Sequence, residues 1–323
     1  DMQRLLARMV AAGVRAVALE ASSHALAQQR LDGVVVDVAM FTNLSRDHLD
    51  FHPTMDAYFE AKAALFRATH ARAGVVNADD AWGHRLLAAS TIPITTYGLD
   101  ANADVRATDL VVGLGGIGFD AAGVSVRSGL RGRFNASNCL GAFAAGLALG
   151  IAPGVIARGI ASVGTVPGRM EPIEAGQPFA VVVDYAHTPD SILGVLRGAR
   201  ALAAGQVIVV FGCGGDRDRA KRPMMGRAAT GSADLTIVTS DNPRHEDPAV
   251  IIDEIVAGIP HGARYVVEPD RRRAIGAAVA AAAPGDIVVI AGKGHETTQT
   301  IGDDVQPFDD RTVARDAIAE AIG

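Results

Sequence analysis

The chain has 323 residues, 49% of them hydrophobic, and a formal net charge of −6. That length allows substantial buried cores and favours about two domains. The acidic balance speaks against a nucleic-acid or membrane-surface binder, and no apolar run approaches the roughly 20 residues of a membrane span. Cys139 and Cys213 have neither metal-ligand nor disulfide spacing, which fits a reducing, cytoplasmic setting. The sequence opens without an initiator Met and reads as a piece of something longer. Its first stretch, residues 2–12, has helical character and leads into an apolar strand at 14–20. Further apolar runs at 34–41, 74–77 and 93–97 are separated by helix-length segments, an alternation that predicts a mainly parallel sheet. From 103 to 133 short strands with Gly turns predict a small antiparallel section. Asn135 is placed to cap an Ala-rich helix that Gly150 ends, and a second helix near 154–163 follows. Val166-Pro167-Gly168 then reads as a linker between a first domain, residues 1–166, and a second, residues 167–323.

Beyond the linker the βα rhythm restarts, with strands predicted at 180–184, 207–211, 235–239, 265–267 and 287–291. Ligands of an open parallel sheet bind outside the carboxyl ends of its strands. The segments 184–189, 212–222, 240–247 and 292–298 should therefore share one edge. The fold class is α/β throughout.

In the first domain, Glu20 and the Thr42-to-His48 stretch leave predicted strands, where Ser capping and an ordinary loop His are the plain readings. Lys62 is more pointed. In the helix at 55–66 it falls on the stripe of Met55, Tyr58, Phe59, Leu65 and Phe66. It either snorkels or is a partly buried amine with a depressed pKa, able to take up carbon dioxide as a carbamate. In the second domain, Gly212-Cys213-Gly214-Gly215-Asp216-Arg217 is neither a dinucleotide fingerprint nor a Walker loop. Ser240-Asp241-Asn242-Pro243-Arg244 and Gly292-Lys293-Gly294-His295-Glu296 each pass alone as a turn or a βα loop. The basic clusters at 217–222 and 271–273 are solvated faces by default, either of which could receive an anion.

Taken together in order and spacing, Glu20-Ala21-Ser22-Ser23-His24-Ala25-Leu26, the 42–50 segment and Tyr58-Phe59-Glu60-Ala61-Lys62 resemble the central domain of the Mur ligase family. The Asp-Asn-Pro-Arg quartet resembles the form found in members that add meso-diaminopimelate. The resemblance implies a central ATPase-type domain followed by a Rossmann-like one. It also implies an enzyme of peptidoglycan precursor synthesis that joins meso-diaminopimelate to UDP-MurNAc-L-Ala-D-Glu at the expense of ATP, through an acyl phosphate. By the same matching, Glu20, His48 and Lys62 (as a carbamate) would hold Mg²⁺, and Ser22, Gln28 and Arg30 the UDP substrate. Asn138, Arg169 and Asp184 would hold ATP. Arg217, Asp241, Asn242, Pro243, Arg244, Gly292 and Glu296 would form the diaminopimelate pocket. There Arg217 and Arg244 can face carboxylates, and Asp241 and Glu296 the distal ammonium. L-Lysine has no distal carboxylate and would leave a guanidinium poorly paired, so a lysine-adding ligase is the nearest alternative and a non-catalytic Mur-like binder a further one. A nicotinamide-dependent dehydrogenase lacks its fingerprint here. A monomer is expected.

One departure bears on activity. A G-x-x-x-x-G-K-[ST] loop is missing from the 323 residues. In the family it lies upstream of the segment matched here, together with a uridine-binding domain. The resemblance thus covers the whole chain but not the whole enzyme, and the isolated polypeptide is expected to be inactive.

Overall fold

A computed structural model describes residues 2–113 and 115–322. The chain falls into two compact units. The first runs up to Val111 and includes Gly118–Arg127 and Ala136–Ser162; the second takes Val112–Ile117, Ser128–Asn135 and everything from Val163 onward.

The first unit contains α1 (Met2–Ala11), α2 (Ser23–Ala27), β1 (Val36–Phe41), α3 (Met55–Ala63), β2 (Ala71–Asn77), α4 (Ala81–Ala89), β3 (Ile94–Gly98) and β4 (Val105–Arg106). Its strands pair in parallel in the order β1-β2-β3-β4. Phe41, Tyr58, Phe59, Phe66 and Leu86 form the core between this sheet and the helices α3 and α4. Three short strands follow as one sheet, β5 (Thr108–Gly113), β6 (Gly116–Ala121) and β7 (Val124–Ser128). Then come α5 (Arg133–Ala148) and α6 (Pro153–Ala161), with Gly150 (φ +74°) turning the chain after α5 as expected.

Three expectations need correction here. Residues 14–20 form no strand: they are exposed and irregular. Among the described residues β1 is an edge paired only with β2, so no neighbouring strand offers this run its hydrogen bonds. Asn135 is not the cap of α5, which starts at Arg133; its side-chain amide donates instead to the Arg131 carbonyl at 2.8 Å. The helix at 55–66 tightens into a 3-10 turn over Ala64–Phe66, which swings Phe66 into the core.

The second unit contains β8 (Glu171–Pro172), β9 (Ala180–Asp184), α7 (Pro189–Leu202), β10 (Val207–Phe211), α8 (Lys221–Thr230), β11 (Leu235–Val238), α9 (Pro248–Val256), β12 (Tyr265–Val267), α10 (Arg271–Ala281), β13 (Ile287–Ala291), β14 (Thr298–Ile301), β15 (Asp304–Pro307) and α11 (Asp310–Ile322). Its six-stranded sheet has the order β12-β11-β10-β13-β9-β8, parallel except for β8. Four of the five predicted strands match residue for residue; β11 stops one residue early, at Val238. Side chains alternate between two cores, as the pleat requires. Val207, Val209, Phe211 and Val289 meet α7, α8 and α9, whereas Ile208, Val210, Val288 and Ile290 meet α10 and α11. Because both faces are covered, these strands are near-continuous apolar runs.

The ion pair Arg271–Asp310 lies wholly inside this unit, both side chains 0% exposed, with Nε–Oδ1 and Nη2–Oδ2 distances of 2.8 and 2.7 Å. Removing one partner strands the other charge, and such losses typically cost about 3–5 kcal/mol. Arg271→Met should lower stability to urea by that amount, and Arg271→Met combined with Asp310→Leu should recover much of it. Equal stabilities of the single and double variants would contradict this.

Candidate active site

In the first unit, α2 and the loop after β1 bring three imidazoles together. Ser22 caps α2, accepting from the Ala25 amide at 3.2 Å. Ser23 is buried with its hydroxyl 2.9 Å from His52 Nε2. The His24 ring lies 4.9 Å from His48 and 5.8 Å from His52, and His52 stacks on Tyr58 at 5.1 Å. His48 itself sits in the left-handed region, φ +55°, its amide held by the Asp47 carboxylate. Lys62 approaches the same cluster. Burial pushes its pKa down, opposed by the negative charge of Glu20. His52 is pushed down as well, first by burial and then by the positive charges of His24 and His48. Burial also raises Tyr58, to about 12.

In the second unit the loops after β9, β10, β11 and β13 share the carboxyl edge of the sheet. Asp184 ends β9 buried, and burial raises its carboxyl. Its oxygens accept from the Met170 and Ala186 amides, both at 2.8 Å. This clasp holds the segment carrying Arg169, whose guanidinium lies over the Tyr185 ring at 4.8 Å. His295 approaches the same ring at 5.5 Å. Only glycine fits at 168: φ is +67°, and a Cβ there would come within 2.1 Å of the His295 amide nitrogen.

Beside it, Asp241, Asn242 and Pro243 are buried after β11. Asn242 donates to Glu296 Oε2 at 2.7 Å and accepts from Lys293 Nζ at 3.0 Å and the Thr300 amide at 3.1 Å. Gly292, φ +116°, leaves room for the Asp241 carboxylate, which a Cβ would approach to 2.6 Å. Arg244 is half-buried at φ +52° and donates to the Gly215 carbonyl at 2.7 Å. Its backbone exchanges hydrogen bonds with Thr300 and Gly302, docking the β14–β15 hairpin beside the loop. Two cations, two carboxylates and an amide thus converge on one edge, a set suited to a zwitterionic ligand.

Two family models match: the Mur ligase middle domain over residues 1–146, and the Mur ligase glutamate ligase domain over residues 168–294. The UDP-N-acetylmuramoyl-L-alanyl-D-glutamate--2,6-diaminopimelate ligase of Geobacillus thermodenitrificans is 47% identical over 99% of this chain and 68% of its own length. The chain belongs to the Mur ligase family. The ligase of the same name from Gloeobacter violaceus is 50% identical over 99% of this chain, which spans only 66% of that relative's length. A solved structure bearing that ligase name superposes with a TM-score of 0.60 at 41% identity, covering 94% of this chain and 64% of that one. A pseudomurein peptide ligase type C from Methanothermus fervidus shares the fold, with a TM-score of 0.67 at 19% identity.

Within this Mur ligase chain the other expected site residues have distinct local settings. Ser22 is a helix cap, Gln28 ends α2, and both are exposed, as are Arg30, Glu20 and Asn138. Asp184 accepts one backbone amide on each carboxylate oxygen and so shapes the Arg169 segment. Arg217 is exposed, its guanidinium resting on the Asp216 carbonyl at 3.0 Å, across Gly214 from Arg244. Neither basic cluster is a simple solvated face. Arg271 is paired internally, and Arg222, 0% exposed, is bound by Glu246 and Glu254. No group of three His, Cys, Asp or Glu side chains arranged to hold a metal occurs among the described residues.

Sequence reasoning gave no role to His52, and it named Tyr58 and Lys293 only as members of motifs. A lysine between two glycines in a loop reads as solvated, and only the fold buries Lys293.

Arg222 gives this edge a measurable pH response. Its hydrogen bonds hold the Glu246 carboxyl down from 4.5 to about 2. The folded protein therefore binds fewer protons than the unfolded chain between those values. The stability this confers is complete above about pH 4.5 and is lost as pH falls through about 2. The gap in urea midpoint between wild type and Glu246→Gln should close as pH is lowered through that window. A constant gap would contradict the assignment.

Proposed function

We propose that this chain supplies the amino-acid-binding unit and much of the central unit of an ATP-dependent ligase. The reaction joins meso-diaminopimelate to UDP-MurNAc-L-Ala-D-Glu in peptidoglycan precursor synthesis, and the setting is cytoplasmic. The observation that carries this reading is the convergence of Asp241, Asn242, Arg244, Gly292 and Glu296 at the carboxyl ends of β11 and β13. Relatives that match nearly the whole chain bear the name of a ligase with this specificity.

The D-glutamyl side-chain carboxylate attacks the γ-phosphorus of ATP and releases ADP, leaving an acyl phosphate. The diaminopimelate amine then adds to the activated carbonyl, phosphate departs, and the amine loses its proton. Such phosphoryl transfer asks the protein for alignment and charge neutralisation more than for covalent help. Arg169, steadied by Tyr185 and the Asp184 clasp, offers a planar fork for phosphate oxygens. Asn138, on α5, would contribute to nucleotide binding, and Ser22, Gln28 and Arg30 would contact the UDP substrate.

Mg²⁺ would neutralise phosphate charge when bound. Glu20, His48 and a carbamate on Lys62 fit it by chemistry: burial favours the neutral amine that carbon dioxide requires, and Glu20 already acts electrostatically on that amine. In the amino-acid pocket, Arg217 and Arg244 would face carboxylates, while Asp241 and Glu296 would take the distal ammonium. Pro243, whose ring fixes its own φ, limits the freedom of the loop between Asn242 and Arg244.

The test is ADP release by the full-length protein with UDP-MurNAc-L-Ala-D-Glu, ATP, Mg²⁺ and either meso-diaminopimelate or L-lysine. Turnover with diaminopimelate alone is expected, and turnover with lysine would refute the pocket assignment. Arg244→Ala should weaken diaminopimelate binding by about 2–5 kcal/mol, the range for truncating one partner of a charge pair that ligand binding buries. Incubation with ¹³C-bicarbonate should give a carbamate resonance that Lys62→Arg abolishes; an unchanged resonance would remove Lys62 from the proposal.

A further inference from the structure

The Lys293 side chain is 0% exposed, yet it belongs to none of the roles above. Its ammonium has three hydrogens and meets three acceptors: Thr298 O at 2.6 Å, Asn242 Oδ1 at 3.0 Å and Glu296 Oε2 at 3.3 Å. These come from three different segments, namely β14, the loop after β11 and the loop after β13. An ammonium only donates, and so does the Thr300 amide that also reaches Asn242 Oδ1. Those two donors decide the orientation of the Asn242 amide. Its oxygen must face Lys293, and its nitrogen is thereby directed to Glu296 Oε2 at 2.7 Å. Both bonds to Glu296 fall on Oε2, leaving Oε1 as the oxygen available to a ligand cation.

We propose that Lys293 is a positioning residue that sets amino-acid specificity: it fixes the Asn242 amide and the Glu296 carboxylate in the one arrangement that receives the distal ammonium of the amino-acid substrate. This rests on the ligase reading above. Lys293 touches neither ATP nor the UDP substrate in this scheme, so its loss acts on one substrate only. With a neutral side chain in its place, Asn242 loses the donor that orients it, and Glu296 loses both a hydrogen bond and a countercharge.

The experiment is steady-state kinetics of the full-length protein with Lys293→Met and Lys293→Arg, varying each substrate in turn. A parallel series uses 2-aminopimelate, which keeps both carboxylates and lacks the distal ammonium. Lys293→Met should raise KM for diaminopimelate at least about tenfold, the equivalent of one lost charge-assisted hydrogen bond. KM for ATP should not move, and preference for diaminopimelate over 2-aminopimelate should fall by a similar factor. Lys293→Arg should recover part of that preference. If Lys293→Met does not fold, the same split is read from Lys293→Arg, which keeps the charge but not the compact three-way geometry. A uniform change in all KM values, or unchanged preference over 2-aminopimelate, would make Lys293 a purely structural residue. A wild type with no diaminopimelate turnover would overturn the ligase reading and this inference together, whereas wild-type turnover with an unaltered split overturns the inference alone.

Discussion

The second unit depends on the buried pair between Arg271 at the start of α10 and Asp310 at the start of α11. Two charges without water persist there only because their remaining donors are also used. Arg271 donates further to the Ala291 carbonyl at 3.0 Å and to the Ser240 carbonyl at 3.3 Å. Those two residues directly precede Gly292 and Asp241. A single guanidinium therefore ties the ends of β13 and the β11 loop to two helices on the opposite face of the sheet from α7, α8 and α9. The candidate pocket inherits its geometry from that tie.

Arg222 plays a comparable part on the other side of the edge. Its fork grips Glu246 with two hydrogen bonds of 2.7 and 2.9 Å and reaches Glu254 at 2.7 Å. Glu246 in turn accepts from the Asp216 amide at 2.6 Å. The Gly-rich loop after β10 and the loop after β11 are thus joined through one carboxylate, with Arg217 and Arg244 at their tips. The arginines best placed to meet a ligand are the partly exposed ones; the fully buried ones serve to hold them.

The first unit shows a different economy of charge. Lys62, His24, His48 and His52 crowd a small volume: burial favours the neutral forms of Lys62 and His52, and the positive charges of His24 and His48 press His52 the same way. Neutral nitrogen is what a metal ligand or a carbamate-forming amine requires. Tyr58 stacks on His52 from the core side, so the cluster is anchored to the same packing that seats α3.

Much of this was legible in the residues themselves. Strand positions in the second unit follow from short runs of β-branched residues bounded by Gly, Pro and Asp. Such runs buried on both faces have little freedom to shift. The stop at Gly150 was equally plain, because positive φ depends on a single residue. The motifs that bring Asp241, Asn242, Arg244 and Glu296 to one edge were readable because a parallel sheet gathers its carboxyl ends. What tertiary structure alone decided was partnership. Residues 14–20 have the pattern of a strand, but pattern cannot supply the neighbour a strand needs. Asp184 has the position of a ligand-binding carboxylate, yet which amides would reach it depends on a segment folded back from Met170. Arg271 and Lys293 look solvated in one dimension, and only the approach of α11 and β14 shows them buried and paired. Local propensity is written residue by residue, whereas burial and hydrogen-bond partners belong to segments distant in the chain.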